Sequence, residues 1–495
     1  MLDSMFFRLL PALALLGGRA SSAPVDGYNW PPSIAGEAHG PSWPQFANAT
    51  LRWSTYAAPT FNEVFIPQTE EDLSTALRYL SSSNKTWLAQ SGGHGYSATL
   101  QTIQNAVLIN MESFDYVKVN PNMTVTVGTG VKFDELISVV GNAGRELTVG
   151  FCPGVGAMGA TLGGGLGRLE GLHGLTSDAL LSVRMALWNG TIIEASETVN
   201  PDLLWGLRGA GQNFGIVIEA LFQTYPATNG GLQYSSDLIF SADKLEAVMN
   251  VTNSLLTPQL DPALAIATSI SPDPTTFKPA ITVNIVYPGP LEKGQAFRKL
   301  YSAISSNYTE QMVPWTNLTS VALPAVEAGT LIKGNPHDQY SVLTKNLPVA
   351  NLREAVDALG TLAQQYPGAN ESTIFIETFG QKALSDLPAN YSAFPHRDTF
   401  RNAIVFSVTY SDAAVASAAN SWAMSMRDKF AQSEVSGYDK LQIYQNYAHG
   451  DEPLSALYGY EEWRHERLTA LKNSYDPHGF FNGFHAVPNK LSDWS

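Results

Sequence analysis

The chain has 495 residues, 44% of them hydrophobic and 15% charged, with a formal net charge of −15. That acidic balance argues against nucleic acid or an anionic membrane surface as a partner, and the length allows two to three domains with substantial cores. A single cysteine, Cys152, excludes a disulfide framework, so stability must come from packing.

Read in chain order, Arg8 precedes an apolar run over 9–16 and the small residues Ala20, Ser21, Ser22 and Ala23. This order predicts a secretory signal over 1–23, too short to span a bilayer. No later stretch approaches the length of a membrane helix. Asn-x-Ser/Thr sequons at Asn48, Asn84, Asn122, Asn189, Asn250, Asn307, Asn317, Asn370 and Asn390 fit a secreted, N-glycosylated protein.

After an irregular lead-in over 24–54, a short strand is expected over 63–67. Thr69 and Asp72 then form a capping box with Asp in place of the usual Glu, and Leu73, Ala76, Leu77 and Leu80 follow at helical spacing. A strand over 87–90 runs into Ser91-Gly-Gly-His-Gly-Tyr-Ser97, giving the strand–helix–strand–glycine-loop order of an α/β unit. Further strands are expected over 107–110, 116–119, 124–127, 180–187 and 215–218, with a helix over 132–141 and a hairpin turn at 188–191. Residues 55–228 thus form a mixed α+β region dense in glycine loops. Composition shifts after Pro226. Over 229–437, strands such as 280–286 alternate with helices such as 243–255 and 352–365, predicting an antiparallel sheet with helices on one face. The last part, 438–490, reads as a short strand over 441–444 and a helix over 461–474.

Two glycine-rich stretches dominate the chemistry. Ser91 to Ser97 suits an anion, because glycines let backbone N–H groups approach closely and successive N–H groups form a nest. No Gly-Lys-Ser/Thr follows, so a nucleoside triphosphate loop is disfavoured. The second stretch runs from Gly156 to Gly174, with Gly163, Gly164, Gly165 and Gly167 too close together for a helix interior. Its spacing fails the dinucleotide fingerprint, which disfavours NAD on a Rossmann unit. Metal binding is disfavoured because the nine histidines form no ligand cluster. No Gly-x-Ser-x-Gly elbow occurs, which disfavours a serine hydrolase. Cys152 itself reads as a reactive thiol, an intermolecular partner, a cofactor ligand or an inert core residue.

Ser91-Gly-Gly-His-Gly95, Gly150-x-Cys-Pro-x-Val-Gly156, Leu162-Gly-Gly-Gly-x-Gly167 and Gly171-Leu-His-Gly174, in this order, resemble the FAD-binding module of the vanillyl-alcohol oxidase superfamily. The berberine bridge enzyme-like branch, in its fungal form, is the nearest likeness. Arg208 to Val217, Tyr444-Gln-Asn-Tyr447 and Asp476 to Asn482 extend it to most of the chain. The resemblance implies a two-part PCMH-type FAD-binding domain, a substrate domain, and a C-terminal segment that returns to the FAD domain. It implies FAD held through two bonds, from His94 to the 8α-methyl and from Cys152 to C6. Ser91, Gly92, Gly93 and Gly95 would serve the pyrophosphate. Gly156, Thr161, Gly163 and Gly164 would flank the cofactor chain, His173 would bond the cofactor or only backbone, and Gly215 and Ile216 would offer backbone to the adenine. On the substrate side stand Tyr444, Asn446, Tyr447 and Glu377. There a tyrosinate or carboxylate would take the proton of a substrate hydroxyl while hydride passes to the flavin, with O2 reduced to H2O2. The expected substrate is a small molecule, a secondary metabolite or phenolic; an oligosaccharide and an inactive glycosylated protein are the alternatives.

Overall fold

The computed structural model describes residues 28–257, 259–397 and 402–494; the expected signal over 1–23 lies outside them. The first portion holds two main sheets and a short pairing of Arg145–Glu146 with Tyr225–Pro226. In the smaller, strands Phe61–Phe65, Ala106–Asn110 and Trp87–Gln90 run parallel, with Ala38–His39 added antiparallel at the edge. All five residues of Ala106–Asn110 are buried, the continuous apolar pattern of a strand covered on both faces. Helix Glu70–Ser82 covers this sheet. Its capping box forms, with Thr69 N donating to Asp72 Oδ2 at 2.7 Å and Asp72 N to Thr69 Oγ1 at 3.2 Å. Leu73, Ala76, Leu77 and Leu80 are fully buried, each larger apolar side chain contributing about 1.5–3 kcal/mol.

The second sheet is antiparallel, in the order Val117–Val119, Thr124–Gly128, Ile216–Gln223, Leu180–Ala186, Ile192–Ser196. The expected turn at 188–191 closes through Leu187 N to Thr191 O at 2.9 Å, with Gly190 at φ 77°.

The middle portion is one seven-stranded antiparallel sheet, ordered Tyr308–Pro314, Leu232–Ser241, Pro279–Tyr287, Ala265–Pro272, Thr373–Phe379, Asn402–Thr409, His337–Thr344. Helices Leu245–Leu255, Val349–Gln365 and Ala416–Phe430 bury Leu245, Val356 and Phe430 against Ile281, Ile374 and Phe406 on one face. Alternation sends the other residues of each strand toward the first portion. On Thr373–Phe379, Ile374 and Ile376 join the helix-side core, whereas Phe375 packs near Phe151 and Phe379 joins the core of the second sheet. Glu377 shares their face, and that is what aims it at the cleft described below.

Beyond residue 438 the chain lies against both portions. Helix Glu462–Tyr475 packs on Pro201–Ala210, and the buried Lys472 donates to Asn213 O at 3.2 Å and to Asp476 Oδ2 at 2.7 Å. The strand expected over 441–444 does not form. Gln442 O accepts from Leu343 N at 2.9 Å and Ile443 N donates to Ala456 O at 3.0 Å, single bonds to different neighbours rather than a ladder. The strand expected over 63–67 starts earlier and ends at Phe65, because Pro67 carries no N–H and Ile66 N turns to Glu37 O at 3.0 Å. Among the described residues, no helix is long and apolar enough to cross a membrane.

Candidate active site

A cleft of about 360 Å³ runs between the two sheets of the first portion and out to the middle sheet. Its floor is made where the two glycine loops touch. A Cβ on Gly92 would lie 2.4 Å from Gly156 N, and one on Gly156 would lie 2.3 Å from Ser91 Oγ. Backbone therefore meets backbone with no room for any side chain, and the Ser91 hydroxyl is left buried without a hydrogen-bond partner. A buried polar atom left unmatched costs about 1–3 kcal/mol unless something supplies its partner.

His94 and Cys152 line this same cleft. His94 Nε2 lies 3.1 Å from Thr330 O. A carbonyl only accepts, so Nε2 carries the proton. Burial first, and then the nearby Lys333 and Arg52 cations, outweigh that bond and push the imidazole down to about 4. The ring is neutral at physiological pH, and Nδ1 presents a lone pair, buried and without a hydrogen-bond partner. Cys152 is half-buried beside Phe151, Ala267 and Leu323.

The C-terminal segment is fastened to the second glycine stretch. Tyr444 Oη accepts from Gly165 N at 3.0 Å, Leu166 N at 3.3 Å and Asn446 Nδ2 at 2.7 Å. Asn446 Nδ2 also donates to Ala160 O at 2.9 Å, and Tyr96 Oη donates to Asn446 O at 2.8 Å. Three donors on its oxygen give the Tyr444 hydroxyl a holding role. Tyr447 stands edge-on to Tyr444, with ring centroids 4.9 Å apart, and the Glu377 carboxyl lies towards its hydroxyl, with Oε2 buried and making no hydrogen bond. Burial lifts Glu377 to about 7, against the opposing influence of the Tyr447 hydroxyl and the Arg168 charge. Burial, and then the charge of Glu377, hold the Tyr447 hydroxyl well above its ordinary value.

Of the residues singled out in the sequence, Ser91, Gly92, Gly93, His94, Gly95, Cys152, Gly156, Gly215, Ile216, Tyr444, Asn446 and Tyr447 line the cleft. Thr161, Gly163, Gly164, His173 and Glu377 do not. Thr161 Oγ1 is satisfied by Ala157 O at 2.8 Å, one turn back in its helix. Gly163 makes way for Asn446, whose Oδ1 a Cβ there would meet at 2.0 Å, and Gly164 makes way for Phe394. His173 points elsewhere, with Nε2 2.8 Å from Glu146 Oε1 and its ring stacked on Tyr225 at 4.0 Å. Glu377 lies behind Tyr447, 1% exposed.

Sequence reasoning missed Arg52, Trp53 and Tyr96, all in the cleft wall. Arg52 is a buried cation that donates to Gln90 Oε1 at 3.1 Å and Gly95 O at 3.0 Å, bracing both sides of the first loop. No carboxylate pairs with it among the described residues; burial lowers it only to about 10, so it stays charged. Nothing distinguishes this arginine within its irregular lead-in. Trp87, Phe480, Phe481 and Phe484 line another stretch of the wall, Trp87 and Phe480 stacked at 4.6 Å. Asp476 holds that aromatic turn by accepting from Phe480 N and Phe481 N, both at 2.9 Å.

Residues 62–196 match the family model described as an FAD binding domain. The FAD-linked oxidoreductase srdI of Neurospora crassa is 33% identical over 453 residues, 90% of this chain and 88% of its own. The FAD-linked oxidoreductase OXR1 of Pyricularia oryzae is 33% identical over 91% of this chain and 88% of its own. The chain belongs to the FAD-linked oxidoreductases.

The fold of this FAD-linked oxidoreductase matches that of berberine bridge enzyme-like proteins. Physcomitrella patens BBE-like 1 superposes with a TM-score of 0.78 at 23% identity, over 92% of this chain and 97% of that one. Glucooligosaccharide oxidase from Acremonium strictum, described with 6-S-cysteinyl, 8α-N1-histidyl FAD, gives 0.78 at 20% identity, over 92% and 97%. The residues present fit FAD. The bare glycine floor, the orphaned Ser91 hydroxyl and the buried Arg52 suit a pyrophosphate, and the aromatic wall suits a ring.

Proposed function

We propose that this FAD-linked oxidoreductase is a secreted oxidase that holds FAD through His94 and Cys152. It would take hydride from a C–OH or C–H of a phenolic or related secondary metabolite and pass the electrons to O2, releasing H2O2. The observation that carries the reading is the convergence on one cleft of His94, whose Nδ1 makes no hydrogen bond, the Cys152 thiol and Tyr447, with the Glu377 carboxyl behind Tyr447. FAD, when bound, supplies the hydride acceptor. The chain's own groups handle the proton. Tyr447 takes the proton of the substrate hydroxyl as its own passes to the Glu377 carboxylate, general-base help worth about 10²–10⁴ in rate. Asn446 and Tyr444 fix the segment on which Tyr447 sits, and the Phe375, Phe151 and Leu323 side chains give the Cys152 end an apolar, water-excluding wall. That wall favours an aromatic substrate.

Oligosaccharide oxidation is the second reading. It is supported by the fold shared with chitooligosaccharide oxidase, TM-score 0.77 at 21% identity over 92% of this chain and 97% of that one. Export and glycosylation are supported by exposure, since eight of the nine sequon asparagines are exposed and Asn370 is half-buried. The test begins with acid precipitation. A yellow pellet supports covalent flavin, and a colourless pellet with a flavin-free supernatant sinks the oxidase reading. A peroxide assay over phenolic and sugar panels then separates the substrate classes.

A further inference from the structure

His94 is held from outside its own part of the fold. Thr330, whose carbonyl accepts from Nε2, lies 236 residues away in the helix Pro324–Leu331 of the middle portion. The helix covers the cleft at Thr330 and is pinned at both ends. At its start the buried Leu323 adopts φ 53°, ψ 57°, a strained conformation for a bulky residue. Its N–H donates to Asp237 Oδ2 at 3.3 Å, and Asn284 Nδ2 steadies Asp237 Oδ1 at 2.7 Å. Beyond its end Gly334, at φ 91°, donates to Arg52 O at 3.0 Å and Trp53 O at 3.2 Å. Between these pins Leu331 and Ile332 are each 55% exposed, so the cover is peripheral rather than core.

We propose that the Thr330 carbonyl is the positioning group that sets the Nε2–H form of His94, so that histidyl attachment of the flavin requires the helix Pro324–Leu331 to be docked. The proposal rests on His94 being an anchor. An imidazole whose Nε2–H is held by an acceptor keeps its lone pair on Nδ1 and is more basic there. Nδ1 makes no hydrogen bond, although the Gly92 backbone lies near the ring, and the stacked Trp53, with ring centroids 5.7 Å apart, holds the ring plane. In the attachment step a bond forms between Nδ1 and the 8α carbon, and one C–H bond of that methyl breaks. The methyl proton and the imidazole proton end on the flavin with the electron pair. O2 removes both hydrogens as H2O2, restoring the oxidised ring. Undocking the helix leaves His94 divided between its two tautomers, while Cys152 gives up its packing beside Leu323 and Val326 but stays on its own loop against Phe151 and Ala267, which keeps its route to C6.

The test exchanges residues 324–333 for a Gly-Ser linker of equal length in the full chain. Flavin is then mapped by mass on the peptides that contain His94 and Cys152. In the unaltered protein both peptides carry flavin; in the exchange variant the fraction on the His94 peptide falls roughly tenfold while the Cys152 peptide keeps its load. An exchange variant whose His94 peptide remains fully flavinylated overturns the proposal. If that variant does not fold, Asp237→Ala, which removes the acceptor of Leu323 N–H and of Asn284 Nδ2 and leaves the helix itself intact, decides on the same peptide ratio. A ratio equal to that of the unaltered protein overturns the proposal. No flavin on the His94 peptide of the unaltered protein removes the anchor reading itself, and the proposal with it.

Discussion

His449 Nδ1 and Asp338 Oδ1 lie 2.8 Å apart, with side chains 7% and 0% exposed. Asp338 is on the edge strand His337–Thr344 of the middle sheet, and His449 follows Tyr447 by two residues. The carbonyl of His449 accepts from Ala98 N at 2.7 Å and Ser97 Oγ at 3.2 Å, and its ring stacks on Tyr340 at 4.2 Å. One residue thus ties the middle sheet, the C-terminal segment and the end of the first glycine loop. Burial works to lower the His449 pKa, but the hydrogen bond and charge of Asp338, with Asp451 and Glu452 behind, outweigh it and leave it above the ordinary value. Burial also lifts the Asp338 carboxyl, with His449 opposing the rise, so the charged pair exists between the two pKa values.

Asp338→Ala is expected to cost about 3 kcal/mol near neutral pH, because it leaves a buried imidazolium unpaired. Because the folded pKa of His449 is raised, its contribution is complete below the unfolded value of about 6.5 and is lost as pH rises through the folded value. Denaturant melts of the holoprotein from about pH 6 to 9 check this. The wild type should lose stability with rising pH where the variant does not, and parallel curves would refute the assignment.

Tyr447→Phe is expected to lower turnover by about 10²–10⁴ with the flavin spectrum and flavin content unchanged. Glu377→Gln addresses the proton's second stop. Glu377 is a carboxylate only above about 7, so wild-type activity should fall as pH falls through that value. The variant should be slower and lack that acid limb. An acid limb that survives in Glu377→Gln would assign it to another group.

Gly92→Ala is expected to abolish flavin incorporation, since its Cβ would meet Gly156 N at 2.4 Å and neither backbone can yield. Overpacking of this kind costs about 1–3 kcal/mol or more. Gly36→Ala, which meets nothing within 4 Å, is the control. The readout is the ratio of flavin to protein absorbance after purification.

Lys472→Ala breaks a pair in which both side chains are 0% exposed. About 3–5 kcal/mol of stability should be lost. Asp476 also positions Phe480 and Phe481, so the aromatic wall should loosen with it, read as faster proteolysis after residue 476 than in the wild type.

The local parts of the site were legible in the sequence because glycine spacing and a lone cysteine are local signals. Helix Glu70–Ser82 was legible for the same reason, as its capping box lies within four residues. The parts that were not legible depend on distant pairings. Arg52 gains its meaning only from Gln90 and Gly95, Tyr96 only from Asn446, and His94's tautomer only from Thr330. His173 shows the converse error. A histidine flanked by glycines reads alike whether it faces a cofactor or, as here, Glu146. Over 441–444 the apolar–polar alternation reflects burial of Leu441 and Ile443 against other elements, not strand pairing.

The cleft also carries a consequence for biosynthesis. Gly165 N and Leu166 N donate to Tyr444, and the aromatic wall is completed on Trp87 by Phe480 and Phe481. These residues follow both glycine loops in the chain by more than 260 residues. A nascent chain stalled before them would display both glycine loops and His94 yet lack the segment that closes over them, so cofactor capture waits for that segment to emerge.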